Sequence, residues 1–189
     1  MKLSNPKTWS NTSVHYGLVS VLFHWLTLAL IIPLYFIGDM IEDLDYYDPW
    51  YQQAPWWHKS LGICLFFLIL LRVAYRLSAQ RVRPLPTHSA IERVGAHAVH
   101  ILLYLVIITI CCSGYMVSTS KGAGVEVFSI IEIPAIMTLE EEYASLFAKI
   151  HEISINILIV LLSFHVLGAL KHHFYDKDST LKRILGIKT

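Results

Sequence analysis

Two histidines, His151 and His165, lie fourteen residues apart in a segment that otherwise has the composition of one buried apolar helix. Fourteen steps of about 100° bring them to within about 40° of the same helix face, roughly 21 Å apart along the axis. Ionisable side chains in apolar helices of membrane length are costly to bury and usually serve a function. Because imidazole is also a metal ligand, the spacing predicts two ligand sites on one helix face.

Four apolar segments must position these histidines, and each is long enough to span a bilayer. The 189 residues are 55% hydrophobic, which is too high for a soluble domain of this length. The sequence contains no internal repeat, low-complexity tract or soluble domain. We therefore predict an all-α fold, an integral membrane four-helix bundle that forms a single domain over 1–189. The predicted spans are about 16–38, 56–77, 96–118 and 146–173.

Charge is distributed unequally between the two ends of the predicted bundle. The side with both termini and the 78–95 connection has twelve Lys and Arg against three acidic residues, a net of +9. The other side has three Lys against eleven acidic residues, a net of −8. Because cytoplasmic loops are enriched in Lys and Arg, both termini are expected in the cytoplasm. The twelve basic residues are Lys2, Lys7, Arg72, Arg76, Arg81, Arg83, Arg93, Lys171, Lys177, Lys182, Arg183 and Lys188.

Depth matching gives each of the two histidines a partner on another helix. His58 begins the second span at the outer edge and matches His151, while His24 lies in the cytoplasmic half of the first span and matches His165. Two neutral imidazoles that face each other from neighbouring helices supply both axial positions of a haem between the helices. His100, on the third span, competes with His24 as the inner partner. Its alternative roles are a contact with a propionate or a quinone, or a hydrogen bond to a neighbouring helix.

Residues suited to a haem lie around both predicted pairs. Gly62 lies one turn after His58, where the missing side chain lets a flat ring approach the backbone. Arg72 follows His58 by fourteen residues, so it shares that face near the inner pair, where a propionate needs a cation. Lys59 and Lys149 flank the outer pair in the same way.

Other interpretations of the histidines are a structural role and metal transport. A histidine in a membrane helix often forms an interhelical hydrogen bond, but four at matching depths argue against that role for all of them. Zinc or copper transporters usually line a path with carboxylates and thiolates, and no Asp or Glu lies deep in a predicted span.

The three cysteines fall within predicted spans and are interpreted as packing residues, and the motif for covalent haem attachment is missing. They are Cys64, Cys111 and Cys112.

Several motifs occur in a specific order along the chain. They are Ser-Val-Leu-Phe-His-Trp at 20–25, Trp-His-Lys-Ser-Leu-Gly at 57–62, Leu-Leu-Arg at 70–72, Ala-His-Ala-Val-His at 96–100, the pair His151 and His165, and the tail from His172 to Arg183. In this order and spacing, over nearly the whole chain apart from the two outer loops, the sequence resembles the prokaryotic cytochrome b561 family of di-haem membrane cytochromes. The resemblance implies two b-type haems whose axial ligands are His24, His58, His151 and His165.

The resemblance also implies an oxidoreductase of the bacterial inner membrane that transfers electrons across the bilayer to or from ubiquinone or another quinone. Nucleic acid is not an expected partner. One branch of the family oxidises superoxide and reduces ubiquinone, but the acidic outer side disfavours the approach of this anion. That side suits a basic periplasmic redox partner instead. A further alternative is a haem-bearing membrane anchor of a larger enzyme, such as a hydrogenase or formate dehydrogenase.

Overall fold

The computed structural model describes residues 9–187, so Lys2, Lys7 and Lys188 of the predicted cytoplasmic charge excess lie outside the described residues. Four of its helices are long and apolar enough to cross a membrane, in agreement with the four predicted spans. In chain order the elements are α1 (Leu18–Asp43), α2 (Gln53–Ser78), α3 (Ala90–Thr119), β1 (Val125–Val127), β2 (Ile131–Ile133), α4 (Glu141–Phe174) and the short α5 (Thr180–Ile184).

Each long helix extends beyond the apolar segment that predicted it. Helix α3 begins at Ala90 because Ser89 and Glu92 form a capping box. In this box the Glu92 N–H donates to Ser89 Oγ at 3.3 Å, and the Ser89 N–H donates to Glu92 Oε2 at 2.8 Å. Helix α4 begins with Glu141 and Glu142 in its first turn, where the helix dipole favours acidic side chains. The helix ends therefore follow capping and charge, whereas hydropathy marks only the apolar part of each helix.

The connection between α3 and α4 contains an antiparallel hairpin that the sequence did not predict. Strands β1 and β2 pair with Val127 opposite Ile131, and Phe128 and Ser129 in the turn have positive φ angles of 52° and 56°. Ser60 of α2 fixes this hairpin, since its Oγ donates to the Glu126 carbonyl at 3.4 Å and accepts from the Phe128 N–H at 3.1 Å. The hairpin is thereby attached to α2 two residues after His58.

The chain forms two compact units, and each of the helices α1 to α4 contributes residues to both. Within the described residues, unit 1 consists of 9–26, Leu70–Leu103 and 159–187, and unit 2 of Thr27–Ile69 and Tyr104–Leu158. The division places His24 and His165 in unit 1 and His58 and His151 in unit 2.

Unit 2 contains the fully buried core side chains of the described residues. Small polar groups are prominent among them: Ser60 is 0% exposed, Thr119 1% and Ser113 2%. Small residues let membrane helices approach closely. The Ser113 and Thr119 hydroxyls donate to backbone carbonyls in their own helix, and the Ser60 hydroxyl donates to the hairpin. Large apolar side chains such as Phe36 and Phe67 remain 64% and 52% exposed, as expected for helices that face lipid rather than water.

Unit 1 is connected by hydrogen bonds between segments distant in sequence. The Trp25 indole donates to the Ile184 carbonyl at 3.0 Å and ties α5 to the residue that follows His24. The Arg183 guanidinium donates to the Arg83 carbonyl at 3.1 Å, which ties α5 to the connection between α2 and α3.

Asp178 fixes the start of α5. Its Oδ1 accepts from the Thr180 N–H at 2.7 Å, and its Oδ2 lies 2.9 Å from His88 Nε2. Burial by itself disfavours the ionised form, but the hydrogen bonds from Thr180 and His88 outweigh it and lower the pKa of the Asp178 carboxyl. This carboxylate is therefore ionised at neutral pH.

We expect Ser60→Ala to destabilise unit 2, because the Phe128 N–H then loses its acceptor. A buried polar group left without a partner costs about 1–3 kcal/mol in the free energy of unfolding. The measurement is the thermal unfolding midpoint of the detergent-solubilised protein by circular dichroism. Ser145→Ala, an exposed serine on α4, is the matched control, and equal midpoints for both variants would contradict the hairpin contact.

Candidate functional site

In unit 2, the structure brings His58 and His151 together from α2 and α4. Their ring centres lie 6.3 Å apart, with an angle of 73° between the ring planes. With metal–imidazole bonds of about 2.0–2.1 Å and ring nitrogens about 1.1 Å from their ring centres, two axial rings on one metal lie roughly 6.3 Å apart. The separation of these two rings is therefore that of two ligands on opposite sides of one metal ion.

The His151 ring is oriented by the backbone of α3. Its Nδ1 lies 2.9 Å from the Ile110 carbonyl oxygen and 3.3 Å from Ser113 Oγ. Because a carbonyl only accepts, Nδ1 carries the proton and donates, which leaves the Nε2 lone pair available for a metal. On the opposite ring, His58 Nδ1 is buried, and the polar group that acts on this imidazole besides His151 is the backbone of Leu34.

Two glycines that the sequence analysis missed lie against these rings. A Cβ atom at Gly114 would lie 2.8 Å from His151 Cε1, and one at Gly38 would lie 3.1 Å from His58 Cε1. By contrast, a Cβ at Gly62, the predicted ring-approach position, would meet nothing within 4 Å. The sequence did contain a signal for these contacts, namely glycines inside apolar helices. Glycine destabilises a helix, so its presence there indicates a close contact that a larger residue would block.

In unit 1, His165 of α4 has two histidine neighbours. The ring centre of His24 lies 6.0 Å away, and that of His100 lies 5.2 Å away. Only the first distance is close to the roughly 6.3 Å expected for two axial ligands of one metal. The geometry therefore favours His24 over His100 as the partner of His165, as the sequence analysis does.

Arg72 lies beside the inner pair, as its fourteen-residue spacing from His58 predicts. Its Nη2 lies 3.0 Å from His24 Nδ1, and a guanidinium only donates, so Nδ1 accepts and a neutral His24 carries its proton on Nε2. Metal binding through Nε2 requires the other tautomer. The Arg72 guanidinium must then turn to another acceptor.

The two outer lysines have different surroundings. Lys59 lines a pocket of about 400 Å³ together with Trp56 and two acidic residues of the hairpin, Glu126 and Glu132. Lys149 is exposed on α4, two residues before His151.

A model of the prokaryotic cytochrome b561 family matches residues 15–186. The chain belongs to this family. Cytochrome b561 homolog 2 of Escherichia coli (strain K12) is 38% identical over 179 residues, 95% of each chain. The "Probable superoxide oxidase CybB" of Yersinia pestis is 27% identical over 177 residues, 92% of this chain and 97% of that protein. Cytochrome b561 homolog 1 of Escherichia coli is 25% identical over 172 residues, 90% of this chain and 96% of that protein.

These findings confirm the resemblance, the mostly helical fold and the class of protein, a multi-pass membrane protein of electron transport. The family implies b-type haem, and the residues present fit this group. Each unit contains two imidazoles at the spacing of axial ligands, glycines lie directly against the outer pair, and Arg72 offers a cation beside the inner pair.

We expect Gly114→Ala to displace the His151 ring and to lower the b-type absorbance per chain. Gly38→Ala should have a smaller effect, because its Cβ would approach His58 less closely. The measurement is the dithionite-reduced absorption spectrum of the purified protein, normalised to protein concentration. Gly95→Ala is the matched control on α3, since a Cβ there would meet nothing within 4 Å. Equal spectra for all three variants would contradict a haem at the outer pair.

Proposed function

We propose that the protein is a di-haem b-type cytochrome that transfers single electrons between the periplasmic side of the bacterial inner membrane and the quinone pool. His58 and His151 are the axial ligands of the outer haem, and His24 and His165 those of the inner haem. The observation that carries this proposal is the spacing of the two ring pairs, 6.3 and 6.0 Å. When bound, b-type haem supplies a one-electron iron couple whose potential depends on its axial ligands and their hydrogen bonds.

At the outer pair, the protein contributes ligand orientation. The Ile110 carbonyl fixes the tautomer of His151, so that its Nε2 faces the metal position. Gly114 and Gly38 leave room for the two rings to stand close to α3 and α1. Gly62 provides open space one turn after His58, which suits the flat face of a porphyrin. Lys59 and Lys149 are the outer cations proposed for a propionate, and Lys59 shares its pocket with Glu126 and Glu132.

At the inner pair, Arg72 could donate hydrogen bonds to either of two acceptors. It donates to His24 Nδ1 at 3.0 Å, and a propionate carboxylate beside the pair would be a stronger, charged acceptor for the same guanidinium. With a propionate as the acceptor of Arg72, His24 Nδ1 would carry the proton, and Nε2 would be available to hold the metal. His100, 5.2 Å from His165, is assigned a contact with a propionate or with the quinone rather than with iron.

The charge asymmetry supports an orientation with both termini in the cytoplasm. The net +9 and −8 of the two sides follow the positive-inside rule for a bacterial inner membrane. In this orientation the His24 pair lies toward the cytoplasm and the His58 pair toward the periplasm.

Single substitutions of the four ligands test the haem assignment. His58→Ala and His151→Ala should each lower the haem content from about two to about one per chain, and so should His24→Ala and His165→Ala, because a haem that loses an axial ligand is weakly bound. Haem per chain is measured by extraction and by the reduced b-type spectrum. His97→Ala, an exposed histidine of α3, is the control. Unchanged haem content in all four variants would contradict the assignment, and loss in His100→Ala but not His24→Ala would replace His24 by His100.

Oxidation of superoxide is a second candidate function, favoured by the similarity to the "Probable superoxide oxidase CybB". In that reaction two superoxide ions each lose one electron to become O₂, and one quinone takes up the two electrons with two protons to become a quinol. The outer side disfavours it, since its net charge of −8 repels an anion, and Glu126 and Glu132 line the same pocket as Lys59.

Stopped-flow mixing of the oxidised protein with superoxide distinguishes these functions. We expect slow reduction whose rate rises with ionic strength, because salt screens the repulsion between the acidic outer side and the anion. Reduction by a neutral quinol should change little with salt. A fast superoxide reaction that slows with salt and slows further in Lys59→Gln, but not in Lys121→Gln, would instead establish a superoxide oxidase with a local cationic entry.

The membrane-anchor alternative differs from the proposed function in its dependence on a partner. A self-sufficient cytochrome retains both haems and reacts with quinol when it is purified alone. An anchor subunit loses haem or stability without its catalytic partner, and a metal-ion transporter is colourless.

A further inference from the structure

A second group of ligand-type side chains lies in unit 1, outside the four histidines assigned to haem. His88 lies in the connection before α3, His172 in the last turn of α4, and Asp178 just before α5. One ligand atom from each lies within 4.8 Å of the other two. His172 and Asp178 stand together in the tail of the sequence, but His88 lies far from them along the chain, so the sequence does not indicate it as the third member.

The distances show that two ring nitrogens converge on one carboxylate oxygen. His88 Nε2 lies 2.9 Å, and His172 Nδ1 3.1 Å, from the same Oδ2 of Asp178. His172 Nδ1 also lies 2.8 Å from Asp176 Oδ2. The three side chains of the group are largely shielded, with 15%, 14% and 7% exposure for His88, His172 and Asp178.

Hydrogen bonding accounts for only one of these two contacts, that of His88 Nε2 with Asp178 Oδ2. His172 Nδ1 is buried and, despite its two short contacts, makes no hydrogen bond of acceptable geometry in the described part of the chain. Its ring also stacks on that of His88, with ring centres 4.3 Å apart and planes at 31°. The two imidazoles therefore lie side by side, each with one ring nitrogen close to Asp178 Oδ2.

The group is held in place by backbone contacts. The Thr180 N–H donates to Asp178 Oδ1 at 2.7 Å, which leaves Oδ2 facing the histidines. The Asp178 N–H donates to the His172 carbonyl at 3.0 Å, and the His88 N–H donates to the Leu85 carbonyl at 3.1 Å. Such outer contacts orient ligands for a metal before it binds.

We propose that His88 Nε2, His172 Nδ1 and Asp178 Oδ2 form a binding site for a divalent transition-metal ion of the zinc class. Two imidazoles and a carboxylate are ligands that zinc accepts, and a tetrahedral ion with bonds of about 2.0–2.1 Å separates its ligand atoms by about 3.3–3.4 Å. The contacts of 2.9 and 3.1 Å to Asp178 need to open by only a few tenths of an ångström. The fourth ligand would be a water molecule or Asp176, whose carboxylate also pairs with Lys171 at 2.9 Å.

A metal at this site would join three segments of unit 1: the connection before α3, the end of α4 and the start of α5. Helix α5 contacts α1 through the bond from the Trp25 indole to the Ile184 carbonyl, next to His24 in the sequence. The ion would therefore restrain the segment that packs beside the inner histidine pair. This inference does not depend on the proposed electron-transfer function, and its ligands differ from those assigned to haem.

The test measures zinc binding to the full-length, haem-loaded protein in detergent. After treatment with EDTA and its removal, zinc is added, and bound zinc and iron per chain are determined by mass spectrometry after equilibrium dialysis. We expect about one zinc per chain at micromolar free zinc, and at least about tenfold weaker binding in Asp178→Asn and in His88→Gln. His173→Gln is the matched control, because it removes a neighbouring histidine that faces Phe174.

Two further readouts keep the outcome decisive. The haem spectrum of each variant shows whether that variant is folded. Zinc, but not calcium, should raise the unfolding midpoint of the unsubstituted protein, which detects the site without any variant. The proposal is overturned if the unsubstituted protein binds no zinc at micromolar concentration. It is also overturned if zinc binding is unchanged in Asp178→Asn and His88→Gln, or is lost in His173→Gln alone. If zinc binding fails these tests while the haem content is unchanged, only the zinc site is contradicted and the proposed electron-transfer function is not.

Discussion

The structure depends on one constraint, namely that an imidazole inside an apolar helix needs partners for its two ring nitrogens. Water is scarce within a bilayer, and an unpaired polar group there is costly. In unit 2, His151 satisfies Nδ1 with the Ile110 carbonyl, and its ring centre lies 6.3 Å from that of His58. In unit 1, His24 is satisfied on one side by Arg72 and faces His165 on the other. The pairing of helices thus follows from the pairing of rings.

Close approach of the helices makes this pairing possible. Gly38 and Gly114 leave no side chain between the rings and the neighbouring backbone, and the buried hydroxyls of Ser60 and Ser113 bond to carbonyls nearby. Large apolar side chains are left on the outer surfaces, where lipid takes the place of a protein core. The same residues that permit the ring contacts therefore also define which helix faces meet, so that the fold and the candidate site have a common origin.

Hydropathy and helical periodicity were sufficient to predict the four helices and the two histidine pairs, because both depend only on positions along a helix. They could not predict Gly38 and Gly114, since these contacts depend on how each helix is rotated in the packed structure. The hairpin was missed because Phe128 and Ser129 adopt positive φ without the Asn or Gly that usually signals such a turn. The position of His88 could not be predicted from the sequence either, because only the folded chain brings its loop to the end of α4.

The two histidine pairs lie in electrically different surroundings. His151 Nδ1 donates to a carbonyl, whose negative end lies toward the ring and makes the opposite nitrogen more basic. His24 lies 3.0 Å from a guanidinium, whose positive charge acts in the other direction. A more basic ligand favours the oxidised metal, and a nearby cation favours the reduced one, so identical cofactors at the two pairs would differ in potential.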